Sequence, residues 1–207
     1  MIDVVAAHGV TYRINNPGGL IGRPLSTGVP YEARLLEAIY AEGFTGTALD
    51  IGAHVGNHTL WLAVVCGLQV HAFEPLHYER LRENVALNHL ESTVTVHAHA
   101  LGDEEGAVAV VGKDQLGPAT EGSVLVVPLD HLVLPDDISV IKMDVEDMEP
   151  FVLRGGEVTI RSNRPVIYTE TRDAHAVANV AEVLEPWGYR YTATIPTATP
   201  VTRWESS

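Results

Sequence analysis

Apolar and polar positions along the chain fall into short runs whose period switches between two and about three and a half. Residues 1–14 alternate in short β-prone runs around a His8-Gly9 turn signal, and Asn15-Asn16-Pro17-Gly18-Gly19 breaks the pattern. Within residues 32–41, Leu35, Leu36 and Ile39 take the spacing of one helical face, and Gly43 stops it. A regular alternation follows. Residues 47–51 read as a buried strand, 57–66 as a helix, 69–73 as a strand, 77–88 as a helix and 93–98 as a third strand. Residues 107–111 and 123–127 are β-prone, and the polar, Gly- and Pro-containing stretch 112–122 between them reads as a hairpin or a mobile loop. Alternation resumes with a strand at 140–143, a short helix near 150–153 and another around 157–161. A strand at 165–169 and a helix from about 174 to 184 come next, then two runs at 189–193 and 199–204 that close as an antiparallel pair. Alternation of this kind predicts an α/β fold: a doubly wound, mostly parallel sheet with helices on both faces and a C-terminal antiparallel strand pair. With no composition break, residues 1–207 read as one domain, 1–44 supplying N-terminal strands and a helix and 45–207 the core.

Composition narrows the function classes. Hydrophobic residues make up 46% of the chain, enough to build a core. Asp and Glu number 27 against 13 Lys and Arg, a net charge of −14. Such a surface repels phosphate backbones and anionic lipids, so neither a nucleic acid nor a membrane is expected as a partner. The lone cysteine, Cys66, excludes an internal disulfide framework and a thiolate zinc site. The chain has no 18-residue apolar run, and its first residues lack the basic and apolar regions of a signal peptide, so a cytoplasmic location is expected.

In sheets of this class a ligand binds beyond the carboxyl ends of the strands, near the switch point. Those ends carry Asp50-Ile51-Gly52-Ala53-His54-Val55-Gly56-Asn57, Glu74-Pro75, Ala100-Leu101-Gly102-Asp103, Asp144-Val145-Glu146-Asp147 and Glu170. Gly52 and Gly56 let the backbone turn sharply toward a ligand at the start of the next helix. A dinucleotide site would need a further glycine between them to admit a pyrophosphate, and the carboxylate of Asp50 opposes that group. This weighs against an NAD-dependent oxidoreductase. A cationic ligand without phosphate fits better, and S-adenosylmethionine carries a sulfonium and an α-ammonium. Glu74, ending the second strand, is placed to accept from both hydroxyls of a ribose.

Six ordered motifs spread over residues 45–170 carry a family resemblance. The run from Leu49 to Thr59, Ala72-Phe73-Glu74-Pro75 and Asn84-Val85-Ala86-Leu87-Asn88 resemble the FkbM-type methyltransferases, as do Ala100-Leu101-Gly102, Lys142-Met143-Asp144-Val145-Glu146 and Ile167-Tyr168-Thr169-Glu170. The resemblance implies a Rossmann-like class I methyltransferase fold with S-adenosylmethionine as donor, methylating hydroxyls of sugars, glycolipids or secondary metabolites. It implies that Asp50, Gly52 and Gly56 line the methionine part, Glu74 the ribose, and Asp103 or its neighbours the adenine edge. The implied cofactor set also takes in Ala53, His54, Asn57, Thr59, Pro75, Ala100, Leu101 and Asp144. The chain departs from the family at Asp147, where glycine usually follows Asp-Val-Glu, which opens the turn, and the aim of Glu146, to change.

Hydroxyl methylation calls for a base within reach of the acceptor. Lys142, Asp144 and Glu146 alternate along one side of the fourth strand's end, making Glu146 or Asp144 the base or acceptor anchor and Lys142 the charge that keeps those carboxylates ionised. The bland alternative is a buried Lys–Asp pair that merely closes the strand. Asp144, Glu146 and Glu170 are also candidate ligands for magnesium, a hard cation suited to oxygen donors. His54 and His58 stand as contacts for the cofactor carboxylate or as alternative bases, His97 and His99 as half-exposed strand residues, and Trp61, Leu62 and Cys66 as core. The expected partner is a small-molecule or glycan acceptor, with self-association open. N-methylation of a peptide or amine, and a non-catalytic scaffold, are the competing readings.

Overall fold

The computed structural model describes residues 2–110, 116–118 and 124–207. Most of the 112–122 stretch expected as a hairpin or loop lies outside them. The chain opens with a hairpin, β1 (Ile2–Ala7) and β2 (Val10–Asn15), turning at His8 and Gly9, which both have positive φ. Two helices follow, α1 (Gly19–Leu25) and α2 (Ala33–Glu42), and Gly43 closes α2 in the left-handed conformation. Then come β3 (Thr47–Ile51), α3 (Asn57–Val64), β4 (Gln69–Phe73), α4 (Tyr78–Leu87) and β5 (Val94–His97).

The middle of the chain forms a small separate sheet from β6 (Ala100–Leu101), β7 (Gly106–Val110), β8 (Leu116–Pro118) and β9 (Val124–Val127), in the order β6-β9-β7-β8. The main fold resumes with β10 (Ile138–Met143), α5 (Glu149–Gly155), α6 (Glu157–Asn163), β11 (Val166–Glu170), α7 (Ala174–Leu184), β12 (Tyr189–Ile195) and β13 (Val201–Ser206).

The main sheet runs β12-β13-β11-β10-β3-β4-β5. Neighbours from β11 to β5 are parallel, and β13 runs antiparallel to both β11 and β12. The closing strand thus slots between β11 and β12, covering the apolar edge that β11 would otherwise present. From β3 the chain winds outward to β5, then returns to β10 on the other side of β3. The switch point lies between β3 and β10.

Strand alternation sorts the side chains of the two central strands. Leu49, Ile51, Ile141 and Met143 face one side, packing with Val152, Leu153, Ile160 and Val180 from α5, α6 and α7. Ala48 and Val140 face the other, with Leu35 and Ile39 of α2 and Leu62 of α3. On that second side the polar residues Asp50, Lys142, Asp144 and Glu170 continue the same alternation toward the strand ends. A third cluster joins the N-terminal hairpin to α3 through Val5, Tyr12, Ile14, Leu60 and Trp61. Asparagine amides lock this join: Asn84 accepts from Asn15 N (2.6 Å), and Asn88 accepts from Arg13 N (2.7 Å) while donating to Arg13 O (2.6 Å).

Candidate functional site

Parallel register places Lys142 beside Asp50, and this pair is the floor of the site. Asp50 is fully buried; its Oδ2 accepts from Thr59 Oγ1 at 2.6 Å, and its Oδ1 lies 3.3 Å from Lys142 Nζ. Lys142 also donates to Gly52 O at 3.0 Å and stands 4.0 Å from Asp144 Oδ2. Burial alone would pull the Lys142 ammonium down, but the facing carboxylates, Asp50 foremost, push it up. Asp50 and Thr59, both expected at the cofactor, are therefore hydrogen-bonded to each other, and Lys142 pairs with Asp50 from the neighbouring strand.

The turn after β3 is tightly built. Gly52 has φ +80°, and a Cβ there would stand 1.8 Å from Asp144 O, so only glycine lets the two strand ends meet. Asp144 N donates to Ile51 O across the same gap at 3.0 Å. Gly56 caps α3 at φ +97°. His54, at φ +50°, donates its backbone N–H to Glu74 Oε2 at 2.8 Å. The other Glu74 oxygen accepts from Leu76 N and His77 N at 2.7 and 2.9 Å. Three backbone amides thus fix this buried carboxylate at the end of β4 and leave part of its accepting capacity unused.

At the ends of β10 and β11, Asp144 and Glu170 share a hydrogen bond. Burial, followed by the bond to Asp144 and its charge, pushes Glu170 up to about 8. Burial also works against ionised Asp144, but Lys142 and the bond from Glu170 outweigh it and hold its value down. Near neutral pH the pair therefore carries one proton, on Glu170.

Glu146 is placed differently. Past the end of β10 the backbone turns left-handed at two successive residues, φ +54° at Glu146 and φ +72° at Asp147. The turn keeps the conformation glycine favours although aspartate occupies it. Both side chains are exposed and face Arg172, which sits 3.4 Å from Glu146 and hydrogen-bonds Asp147. One oxygen each of Asp144, Glu146 and Glu170 lies within 4.8 Å of the others, the only such group among the described residues.

The remaining expected cofactor residues are more scattered. Ala53 is buried against α2 and α3, and Pro75 follows Glu74 at the end of β4. Ala100 and Leu101 form β6 beyond the main sheet. Asp103 pairs with Arg154 Nε at 3.5 Å and lines a separate open groove with Glu104, Glu105 and His131. His97 and His99 are half-buried and join His71 and Phe73 in a ring cluster, where burial drives His97 down to about 4. Trp61 and Leu62 are core residues, and Cys66 is half-buried beside Trp61, with burial raising its thiol to about 11.

Sequence reasoning missed the contribution of Tyr31 and Glu32. The Asn57 amide accepts from Tyr31 N (3.0 Å) and donates to Tyr31 O (2.9 Å), pinning this segment to the start of α3. Next in the chain, Glu32 has φ +54° and brings its carboxylate 3.2 Å from His58 Nε2, both side chains 7% exposed. Glu32, Leu35, Lys142, Met143, Asp144, Glu170 and Val201 line a narrow crevice too tight to admit a water-sized sphere. The burial of Tyr31, with Glu32, Asp144 and Glu170 nearby, pushes its phenol up to about 12. No sequence pattern marks Glu32, because its proximity to β10 and β11 depends on the clamp at Asn57.

The fold agrees with comparisons to known proteins. The chain is similar in structure to an FkbM methyltransferase from Methylobacillus flagellatus KT (TM-score 0.61, 18% identity), with 78% of this chain and 44% of that one covered. This chain therefore spans less than half the length of that relative. Precorrin-6y C5,15-methyltransferase from Geobacter metallireducens GS-15 matches with a TM-score of 0.55 and 16% identity over 85% of this chain and 88% of that one. TYW2 of P. horikoshii, solved in complex with MeSAdo, matches with a TM-score of 0.55 and 13% identity over 100% of this chain and 72% of that one. These likenesses establish the class I methyltransferase fold. No curated protein matches the chain by sequence. The sequence profile of the methyltransferase FkbM domain does match, over residues 50–191, and those residues hold the Gly52 turn, the Glu74 cradle and the Lys142–Asp144–Glu170 group. By that match, the chain belongs to the FkbM methyltransferase family.

Proposed function

We propose that the chain is an S-adenosylmethionine-dependent O-methyltransferase acting on a hydroxyl of a small-molecule or glycan acceptor. The observation that carries this reading is the Asp144–Glu170 carboxyl pair, held beside buried Lys142 at the switch point. The residues suit a cationic, phosphate-free donor: Glu74 offers a fixed carboxylate to a ribose, and the one lysine near the turn already serves Gly52 O and Asp50. The donor, when bound, supplies a methyl group on a sulfonium that leaves as a neutral thioether. Asp144 and Glu170, acting together, take the proton that the acceptor hydroxyl gives up. The pair is free to do so once Glu170 has lost its own proton, as the pH rises toward about 8 and above. Glu146, exposed and held by Arg172, orients the acceptor at the rim.

One observation favours a metal-assisted version, the convergence of Asp144, Glu146 and Glu170. Against it stand Lys142 and Arg172, cations already facing two of the three. Titration calorimetry with S-adenosylhomocysteine, with and without magnesium, tests the donor. Micromolar binding independent of magnesium is expected, and no binding by the folded protein would overturn the reading. Methyl transfer from labelled donor to hydroxyl compounds but not amines is expected in the companion assay, and the reverse preference would select N-methylation.

A further inference from the structure

We infer that Glu32 and His58 hold the amino-acid end of the donor, so that the segment ahead of the family-matched residues 50–191 completes the binding site. The inference rests on the S-adenosylmethionine reading and names the partners of one part of that ligand. An α-amino acid brings an ammonium and a carboxylate, and burying both requires a complementary pair. The other carboxylates near the turn have partners of their own. Asp50 is sealed between Thr59 and Lys142, Glu74 accepts from three backbone amides, and Asp144 is bonded to Glu170. Glu32 has only an ion-pair contact with His58, and His58 Nε2 has no aligned hydrogen bond at all.

Two polar groups buried together with poor mutual geometry are costly unless a ligand completes their hydrogen bonding. Glu32 also sits in a left-handed conformation that an L residue adopts at a cost, and Asn57 holds its neighbour there. Position supports the assignment as well. His58 is the second residue of α3, whose Gly56 cap makes no side-chain bond to the first-turn amides. A carboxylate beside His58 would also face the positive end of that helix. Glu32 lines the same crevice as Asp144 and Glu170. With Glu74 reaching the ribose from the end of β4, the ligand would run across the Gly52 turn toward β10.

Two ligands that differ only at this end separate the outcomes. S-Adenosylhomocysteine carries the amino acid, and 5′-methylthioadenosine keeps the nucleoside and the sulfur without it. Calorimetric titration of the full chain is expected to show Glu32→Gln and His58→Asn each weakening S-adenosylhomocysteine about tenfold or more, with 5′-methylthioadenosine unchanged. Equal weakening of both ligands would make the pair merely structural and overturn the inference, as would no effect on either. Melting curves identify any variant that fails to fold, in which case the other one decides. Absence of S-adenosylhomocysteine binding to the unaltered protein would instead overturn the donor reading, and the inference with it.

Discussion

At position 142 one ammonium joins three pieces of chain: the Gly52 carbonyl, the Asp50 carboxylate and, at longer range, Asp144. The geometry makes a strong prediction at the residue scale. Lys142→Met removes the cation and leaves Asp50 fully buried with only Thr59 as partner. Breaking one side of a buried pair costs about 3–5 kcal/mol, because the remaining charge has no compensation. Denaturant titration should register that loss, and Asp50→Asn added to Lys142→Met should recover part of it. A single-variant loss below about 1 kcal/mol would show that the pair contributes little. The same residues mark a limit of sequence reading. Alternation along one strand groups Lys142 with Asp144 and Glu146, but the strongest partner is Asp50, and only the register of β10 on β3 reveals it. Glu146, the first of two left-handed residues, faces Arg172 at the rim while one of its oxygens stays within 4.8 Å of Asp144 and Glu170.

Neighbouring elements set the proton chemistry. Asp144 and Glu170 come from the ends of β10 and β11, and pairing those strands places two carboxyls in contact. Glu170 titrates at about 8 in the folded chain, well above an unfolded glutamate at about 4.3. Its contribution to stability is complete below the unfolded value and is lost as the pH rises toward about 8. Asp144, held down, acts oppositely: it stabilises above the ordinary carboxyl range and loses that contribution only in acid. Between pH 6 and 9, Glu170 is the member of the pair that titrates. Glu170→Gln keeps a donor toward Asp144 and removes the titration, so the variant should gain on the parent by on the order of 1 kcal/mol or more over that interval. Chemical denaturation of both proteins at pH 6 and 9 measures the difference, and a gap that does not change with pH would refute a shared proton. At this scale the sequence was most readable where apolar runs are short and sharply bounded. β3, β4 and α7 span 47–51, 69–73 and 174–184, the ranges their patterns predict. α1 escaped notice because Gly19, Gly22 and Pro24 oppose helix formation, and packing of Leu25 into the third cluster overrides them. The two residues of β6 are too few to show a period.

Across the whole molecule, the N-terminal region is tied to the part that carries the chemistry. The family match begins at residue 50, yet the hairpin and α1 bury Val5, Tyr12, Ile14 and Leu25 to 1% exposure or less. At about 1.5–3 kcal/mol for each large apolar side chain, these four account for roughly 6–12 kcal/mol as an upper bound. Native chains are typically stable by only about 5–15 kcal/mol, so the region is integral to folding. Its removal would also uncover Leu60 and Trp61 on α3 and strip Asn84 and Asn88 of the backbone groups they hold. α3 carries Thr59 against Asp50, His58 against Glu32 and the Asn57 clamp, so loosening it disturbs the floor and the crevice together. A chain lacking residues 1–28 is therefore expected to lose cooperative thermal unfolding and to bind a hydrophobic dye, and with them its affinity for S-adenosylhomocysteine. Circular dichroism melting, dye fluorescence and calorimetry on the truncated chain check the three consequences. A cooperative melt within a few degrees of the full chain would show that β3 to β13 fold without the hairpin. Donor binding by that same chain, with Glu32 still present, would confine the role of the first 28 residues to covering α3.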